Sequence, residues 1–276
     1  MIHIHHHEDV ACLEGIVRVG DWESGIYVYV TDGMLVDTGP KVLEQALVHR
    51  FQEASFDSVV LTHSHEDHVG TASWIAQHKQ VPLFVHEKGM DICSQKAHYP
   101  FYRKLTWGIR DPFVAQPLGD IHHSRSIEWK VFDTPGHAQD HVALLDERTG
   151  RLFCGDLFMG VKTKVILREE SIPTLMNSLR TVLACDFKSI FCAHSGYHPD
   201  GKIRLQQKLE HLENLSGEIL HLHSQGLSPH EINKQLFPSK PPIIAASAGE
   251  FDSLYIVTSI LAEHLPFPTP DSILEG

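Results

Sequence analysis

Three histidines and an aspartate stand within six residues in Thr62-His63-Ser64-His65-Glu66-Asp67-His68-Val69-Gly70. Imidazole and carboxylate are borderline-hard ligands suited to zinc, and also to iron or manganese. The apolar run Ser58–Thr62 leads straight into this cluster. A turn between a strand and a helix can aim several of these side chains at one point, whereas a strand or helix alone splays them apart. His137, Asp156 and His194 each follow a later apolar run, the position at which layered αβ folds build their sites. Divalent ions held there would activate a water for attack on a carbonyl or phosphoryl centre, with no serine or cysteine nucleophile.

The elements that must position these residues are legible as short β-branched runs with helical patterns between them. Ile16–Val19, Ile26–Thr31 and Met34–Asp37 read as strands, the last two joined by the hairpin pair Asp32-Gly33. Pro40 opens a helix with an apolar stripe at Val42, Leu43, Leu47 and Phe51. Ser58–Thr62 reads as a strand covered on both faces, followed by a helix near Thr71–His78, a strand at Pro82–His86 and a helix near Lys88–Ala97. Residues 98–126 lack a regular pattern but carry Tyr99, Phe101, Tyr102, Trp107 and Phe113 mixed with Arg103, Lys104 and Arg110, which suggests a lid or binding wall. Strands resume at Ile127–Asp133, Val142–Asp146, Leu152–Cys154 and Ser189–Cys192, with a helix near Ile172–Ala184 before the last. Two similar αβ halves packed sheet to sheet are expected.

Beyond Asp200 the pattern is helical. Leu205, Leu209, Leu212, Leu215, Ile219 and Leu222 recur every three or four residues, and Gly226 is placed to stop that helix. Ser228-Pro229-His230-Glu231 is a capping box, and Phe251–His264 reads as a further helix. The boundary is set near residue 202, giving a catalytic domain at 1–202 and a helical extension at 203–276.

Composition narrows the classes. A chain of 276 residues that is 42% hydrophobic can bury a sizeable core. Its net charge of −12 argues against wrapping duplex nucleic acid or an anionic membrane. Histidine is abundant, at 22 residues, which favours metal. No apolar run is long enough for a membrane span, and Met1–Val10 has neither the basic start nor the apolar centre of a secretory signal. The five scattered cysteines read as reduced core thiols, so a cytoplasmic location is expected. The cluster His3, His5, His6 and His7 is set apart from the fold as an adventitious metal binder.

The motif His-x-His-x-Asp-His, with Val36-Asp37-Thr38-Gly39 before it and Gly136-His137, Gly155-Asp156 and Ala193-His194 after it, resembles the metallo-β-lactamase superfamily over roughly residues 15–200. The resemblance implies a four-layer αββα sandwich with a dinuclear metal site, most simply two zinc ions, at the sheet edges. It implies that His63, His65 and His137 hold one metal and that Asp67, His68 and His194 hold the other. Asp156 would bridge the pair, and Asp37 would orient ligands. Asp67 would also carry a proton from the water to the leaving group.

Departures from the family's branches narrow the function. Asp156 replaces the cysteine of the commonest zinc β-lactamases, and His65 replaces the glutamate of the di-iron flavoproteins. Seven ligands speak against the single-iron persulfide dioxygenases. Pro135-Gly136-His137-Ala138-Gln139-Asp140-His141 and the helical tail look most like the glyoxalase II type and the β-lactamase-like protein 2 group, whose extension is winged-helix-like. Ala193-His194-Ser195-Gly196 departs from the usual Pro-Gly-His-Gly of the last ligand motif.

Among the remaining histidines, His141 is expected beside the site as a supporting or pocket-wall residue. His198 is expected at the rim, and His211, His221 and His223 on the solvated face of the long helix. Cys154 and Cys192 are expected to be buried packing thiols. The substrate stays open. A small acyl thioester, ester or lactone comes first, with the aromatic segment as its pocket. Single-stranded RNA stacked on Trp107 and the tyrosines comes second, opposed by the −12 charge. A module that binds metal but has lost catalysis comes third.

Overall fold

The computed structural model describes residues 2–20 and 22–264. Seven strands form the first sheet in chain order: β1 (Ile2–His7), β2 (Val10–Val19), β3 (Trp22–Thr31), β4 (Met34–Val36), β5 (Ser58–Val60), β6 (Leu83–Val85) and β7 (Gln116–Pro117). The first four strands pair antiparallel and β4 to β7 pair parallel. The parallel pairs need crossovers, which carry helices α1 (Glu44–Glu53), α2 (Glu66–Val69), α3 (Ala72–His78), α4 (Glu87–Ser94) and α5 (Phe101–Trp107).

The second sheet has six strands: β8 (Ile121–His123), β9 (Glu128–Asp133), β10 (Val142–Asp146), β11 (Arg151–Gly155), β13 (Ser189–Cys192) and β14 (Gly196–His198). Their spatial order is β14-β13-β11-β10-β9-β8. Only β11 and β13 run parallel, joined across α6 (Ile172–Leu183). Four helices follow: α7 (Gly201–Ser224), α8 (Pro229–Leu236), α9 (Pro242–Ala246) and α10 (Leu254–His264). A small ribbon pairs β12 (Ile166–Leu167) with β15 (Phe251–Asp252).

Strand alternation explains the layering. In β10 and β11, Leu144 and Phe153 point toward the facing sheet, while Ala143, Leu145, Leu152 and Cys154 join the cluster under the helices. In β4 and β5, Met34, Val36 and Val60 face the other sheet, and Leu35 and Val59 face the helices. Runs apolar at every position are what strands buried on both faces require. The result is helix, sheet, sheet, helix, the expected αββα sandwich, held by three separate apolar interfaces.

Asp32 and Gly33 both have positive φ, the turn that joins β3 to β4 as the hairpin signal predicts. In the segment 203–276, Leu205, Leu209, Leu212, Ile219 and Leu222 of α7 pack into the same cluster as α6 and the second sheet, so no separate core forms among the described residues. Residues 265–276 of that segment lie outside the described residues. No described helix is long and apolar enough to cross a membrane.

Four expectations are corrected. The histidine run His3–His7 belongs to the fold as part of β1, because Ile2 is buried against the helix layer and β1 finds a full ladder of partners in β2. Residues 98–126 hold α5, β7 and β8, since the sheets extend through short strands that no sequence period reveals. The strand at Ile16–Val19 is the end of a longer one starting at Val10. Phe251–Asp252 is strand rather than helix, drawn out by pairing with β12.

Candidate metal centre

The site forms where β4, β5, β9, β11 and β13 end. The polar cluster begins just after β5, where Thr62 donates its N–H to Asp37 Oδ1 at 2.8 Å and its carbonyl accepts the Val142 N–H at 2.8 Å. Asp37 itself follows β4 with φ of 60°, a left-handed conformation that costs a non-glycine residue and is held here by its hydrogen bonds. The chain then turns into α2, which carries Glu66, Asp67 and His68 into a buried position.

Seven side chains of the predicted set converge. Ligand atoms of His63, His65 and His137 lie within 4.8 Å of one another, as do those of Asp67, His68 and His194. A third group of His63, His68 and Asp156 overlaps both. Asp156 faces the two sides at once: Oδ1 stands 3.5 Å from His68 Nε2, and Oδ2 stands 3.3 Å from His137 Nε2 and 3.2 Å from His194 Nε2. Asp67 Oδ2 lies 3.2 Å from His194 Nε2.

The outer nitrogens of the rings are pinned, so the inner ones aim at the centre. His68 Nδ1 donates to Asp37 Oδ2 at 2.8 Å, and His194 Nδ1 to the Gly25 carbonyl at 3.1 Å. His137 Nδ1 meets Glu170 Oε2 at 3.1 Å, and His63 Nδ1 lies 3.2 Å from the Thr62 hydroxyl. Proton positions are assigned from these partners.

Three buried atoms then stand without a hydrogen-bond partner: His63 Nε2, His68 Nε2 and Asp156 Oδ1. Buried polar atoms are ordinarily satisfied, so an orphaned trio pointing inward fits a bound cation. His137 Nε2 and His65 Nδ1, 3.0 Å apart, fit it too, being two ring nitrogens turned to one point.

Electrostatics agree. Burial, reinforced by neighbouring imidazoles, holds His63 and His65 far below the ordinary histidine pKa, so their lone pairs are free. Burial works against charge on His68 as well, but Asp156, Asp37 and Asp67 outweigh it and hold its pKa well above the ordinary value. Carboxylates that attract a proton so strongly would attract a metal ion in its place.

His141 is the supporting residue expected beside the site. Its Nε2 accepts the Asp156 N–H at 3.0 Å and its Nδ1 bonds the Thr134 hydroxyl at 2.7 Å. Burial, with His137 nearby, pushes its pKa down to about 3, so the ring is neutral. His198 lies at the end of β14, half-buried, with Nε2 2.9 Å from the Ser195 hydroxyl. Among the long-helix histidines, His221 is exposed, whereas His211 and His223 are half-buried. Cys154 and Cys192 are fully buried in the helix-side cluster.

Sequence reading missed three residues. Glu170 sits just before the α6 cap Ser171 and is reachable only through the fold. Glu66 pairs with Arg103 through contacts of 2.5 and 2.8 Å, tying α5 to the metal motif. Lys208 was legible: it lies three residues after Leu205 and four before Leu212, a charge inside an apolar stripe.

A cavity of about 850 Å³ opens over the cluster. Its walls carry Trp22, Phe101, Leu105 and Trp107, with Lys208 at depth. Of the three cations between Tyr99 and Phe113, Arg103 is spent on Glu66, and Arg110 is buried on the carbonyls of Ile92, Cys93 and Gln95. Lys104 alone of the three is exposed.

A family model described as the metallo-beta-lactamase superfamily matches residues 23–220. A beta-lactamase-like protein 2 homolog of Drosophila melanogaster is 28% identical over 207 residues, covering 70% of this chain and 64% of that protein. This chain therefore spans just under two thirds of that relative's length. A hydroxyacylglutathione hydrolase of Photobacterium profundum is 27% identical over 195 residues, covering 68% and 66% of the two chains. Among solved structures, a metallo-beta-lactamase family protein from Thermus thermophilus superimposes with a TM-score of 0.67 at 19% identity, over 94% of each chain. At that identity the likeness speaks for the fold alone.

Proposed function

The chain belongs to the metallo-beta-lactamase superfamily, and we propose that it is a dinuclear metal-dependent hydrolase acting on a small acyl thioester, ester or lactone. The observation that carries the reading is Asp156, whose two oxygens face both histidine groups while Oδ1 lacks a partner. His63, His65 and His137 would hold one ion, Asp67, His68 and His194 the other, with Asp156 shared. When bound, a pair of divalent ions, zinc in this reading, supplies Lewis acidity and a water acidic enough to ionise near neutral pH.

The chain's own groups do the rest. Asp67 is the proton carrier in this reading: its Oδ2 is 3.2 Å from His194 Nε2 at the cavity floor. Burial would raise its pKa, but His68 and His194 outweigh that and keep it a carboxylate, ready to accept a proton and deliver it to the leaving group. Trp22, Phe101, Leu105 and Trp107 give the acyl portion an apolar wall that keeps bulk water away. The similarity to a hydroxyacylglutathione hydrolase supports thioester chemistry. An RNA substrate loses support because Arg103 and Arg110 are already engaged.

The test is turnover by zinc-reconstituted protein, with and without chelator, on acyl thioesters and lactones beside a single-stranded RNA. Asp156→Ala and His68→Ala serve as site variants, and a His63/His65 double variant is the blank that controls for metal on β1. Chelator-sensitive acyl turnover, lost with metal content in the site variants, is expected. An active, metal-replete variant at either position, or cleavage of RNA alone, would overturn the reading.

A further inference from the structure

Lys208 departs from the rule that a buried charge keeps a counter-charge. It is 3% exposed on the inner face of α7. Its ammonium makes one hydrogen bond, to the Phe158 carbonyl at 2.5 Å, and no carboxylate pairs with it among the described residues. Burial pulls its pKa below the ordinary lysine value, and the surrounding acidic groups offset this only in part. Lys208 nevertheless lines the same cavity as His137, Asp156 and His194. Phe158 lies two residues beyond Asp156, so that one hydrogen bond ties the ammonium to the segment that carries a ligand.

Building on the hydrolase reading, we infer that Lys208 is the counter-charge for a carboxylate that the substrate carries away from its scissile bond. An ammonium has three N–H groups. With one given to Phe158, two remain, which suits the paired oxygens of a carboxylate. A single lysine would leave a phosphate dianion half neutralised at this depth, because Lys162 and Lys164 of the same cavity are exposed at its rim. The wall of Trp22, Phe101, Leu105 and Trp107 accepts an apolar arm. The substrate class is therefore an acyl thioester or ester bearing a free carboxylate, such as the half-thioester of a dicarboxylic acid.

The experiment compares two substrates on wild type and Lys208→Met: the half-thioester of glutaric acid, and the same thioester with its free carboxylate converted to an amide. The preference for the acid, read as the ratio of kcat/KM values, should fall by about 10- to 100-fold in the variant, the loss expected for a hydrogen bond to a charged group. Calorimetric titration with glutarate itself should show weaker binding to the variant by a similar factor. An unchanged ratio together with equal glutarate binding overturns the inference. Should Lys208→Met fail to fold, Lys208→Gln keeps a donor for the Phe158 carbonyl, lacks the charge, and reads the same two quantities. If wild type turns over neither thioester, glutarate binding still decides the role of Lys208, and the wider panel of thioesters and lactones decides the hydrolase reading separately.

Discussion

Asp37 and His68, 31 positions apart in the chain, meet through a 2.8 Å contact between Oδ2 and Nδ1, both side chains being buried. The contact fixes which ring nitrogen of His68 is engaged, leaving Nε2, which faces Asp156 and Asp67, as the one available to a metal ion. The same carboxylate anchors the Thr62 N–H and hydroxyl, so one side chain shapes the motif's first turn and one of its rings. Asp37→Asn should keep the fold and lower metal affinity by about 10- to 100-fold, the usual effect of removing such an outer partner. Competition against a chromophoric chelator measures it. Wild-type affinity in the variant would show that the contact does not tune the site.

His141 supports Asp156 from behind. Gly155, with φ of 46°, leaves room for this, because a Cβ there would stand 2.6 Å from His141 Nε2. His141→Phe would leave the Asp156 N–H buried without an acceptor, a cost of about 1–3 kcal/mol. Denaturant unfolding of the metal-free variant should show that loss, and metal content should fall with it. Unchanged stability would mean that the Asp156 N–H finds another acceptor.

How much of this was readable beforehand depended on the range of the interaction. The candidate ligands His63, His65, Asp67 and His68 lie in one run, and His137, Asp156 and His194 each follow an apolar strand, so local pattern exposes all seven candidates. The layers were readable too, because strands such as β5 and β11 are apolar on both faces. Glu170 beside His137, or Glu250 beside Arg103, is set by tertiary packing, and nothing within a few positions of either signals it. The histidines of β1 give no such signal, because only Ile2 of that strand is buried and the ladder to β2 alone makes it a strand.

Arg103 joins three distant segments. Its guanidinium meets Glu66 in the metal motif and lies 3.6 Å from Glu250 Oε1 in the segment after α9, while the adjacent Tyr102 hydroxyl also bonds Glu250. Arg103→Ala would strand Glu66, which is 3% exposed, as an unpaired buried carboxylate. Breaking a buried pair from one side typically costs about 3–5 kcal/mol. Unfolding should show a loss of that order. Amide exchange across 101–107 should speed up as α5 loosens over the cavity. Unaltered exchange there would show that α5 is held by its other contacts.

Gly136 is where the chain beside His137 has no room for a side chain. Its φ of 130° lies in the region that favours glycine, and a Cβ would fall 2.5 Å from the backbone nitrogen of Leu175 and 2.6 Å from its Cα. Ser171 N–H bonds the Gly136 carbonyl at 2.9 Å, so the start of α6 is fastened to this turn and cannot retreat without losing that bond. Backbone strain of about 1–3 kcal/mol adds to the clash, and His137 would be carried away from His65. Gly136→Ala should therefore lose both stability and metal. Gly217→Ala is the contrast, since that glycine is exposed within α7 with nothing within 4 Å of a built Cβ. Replacing a mid-helix glycine should stabilise by about 0.5–1 kcal/mol. Thermal midpoints with and without metal compare the two, and equal behaviour would mean that the turn before His137 tolerates a side chain after all.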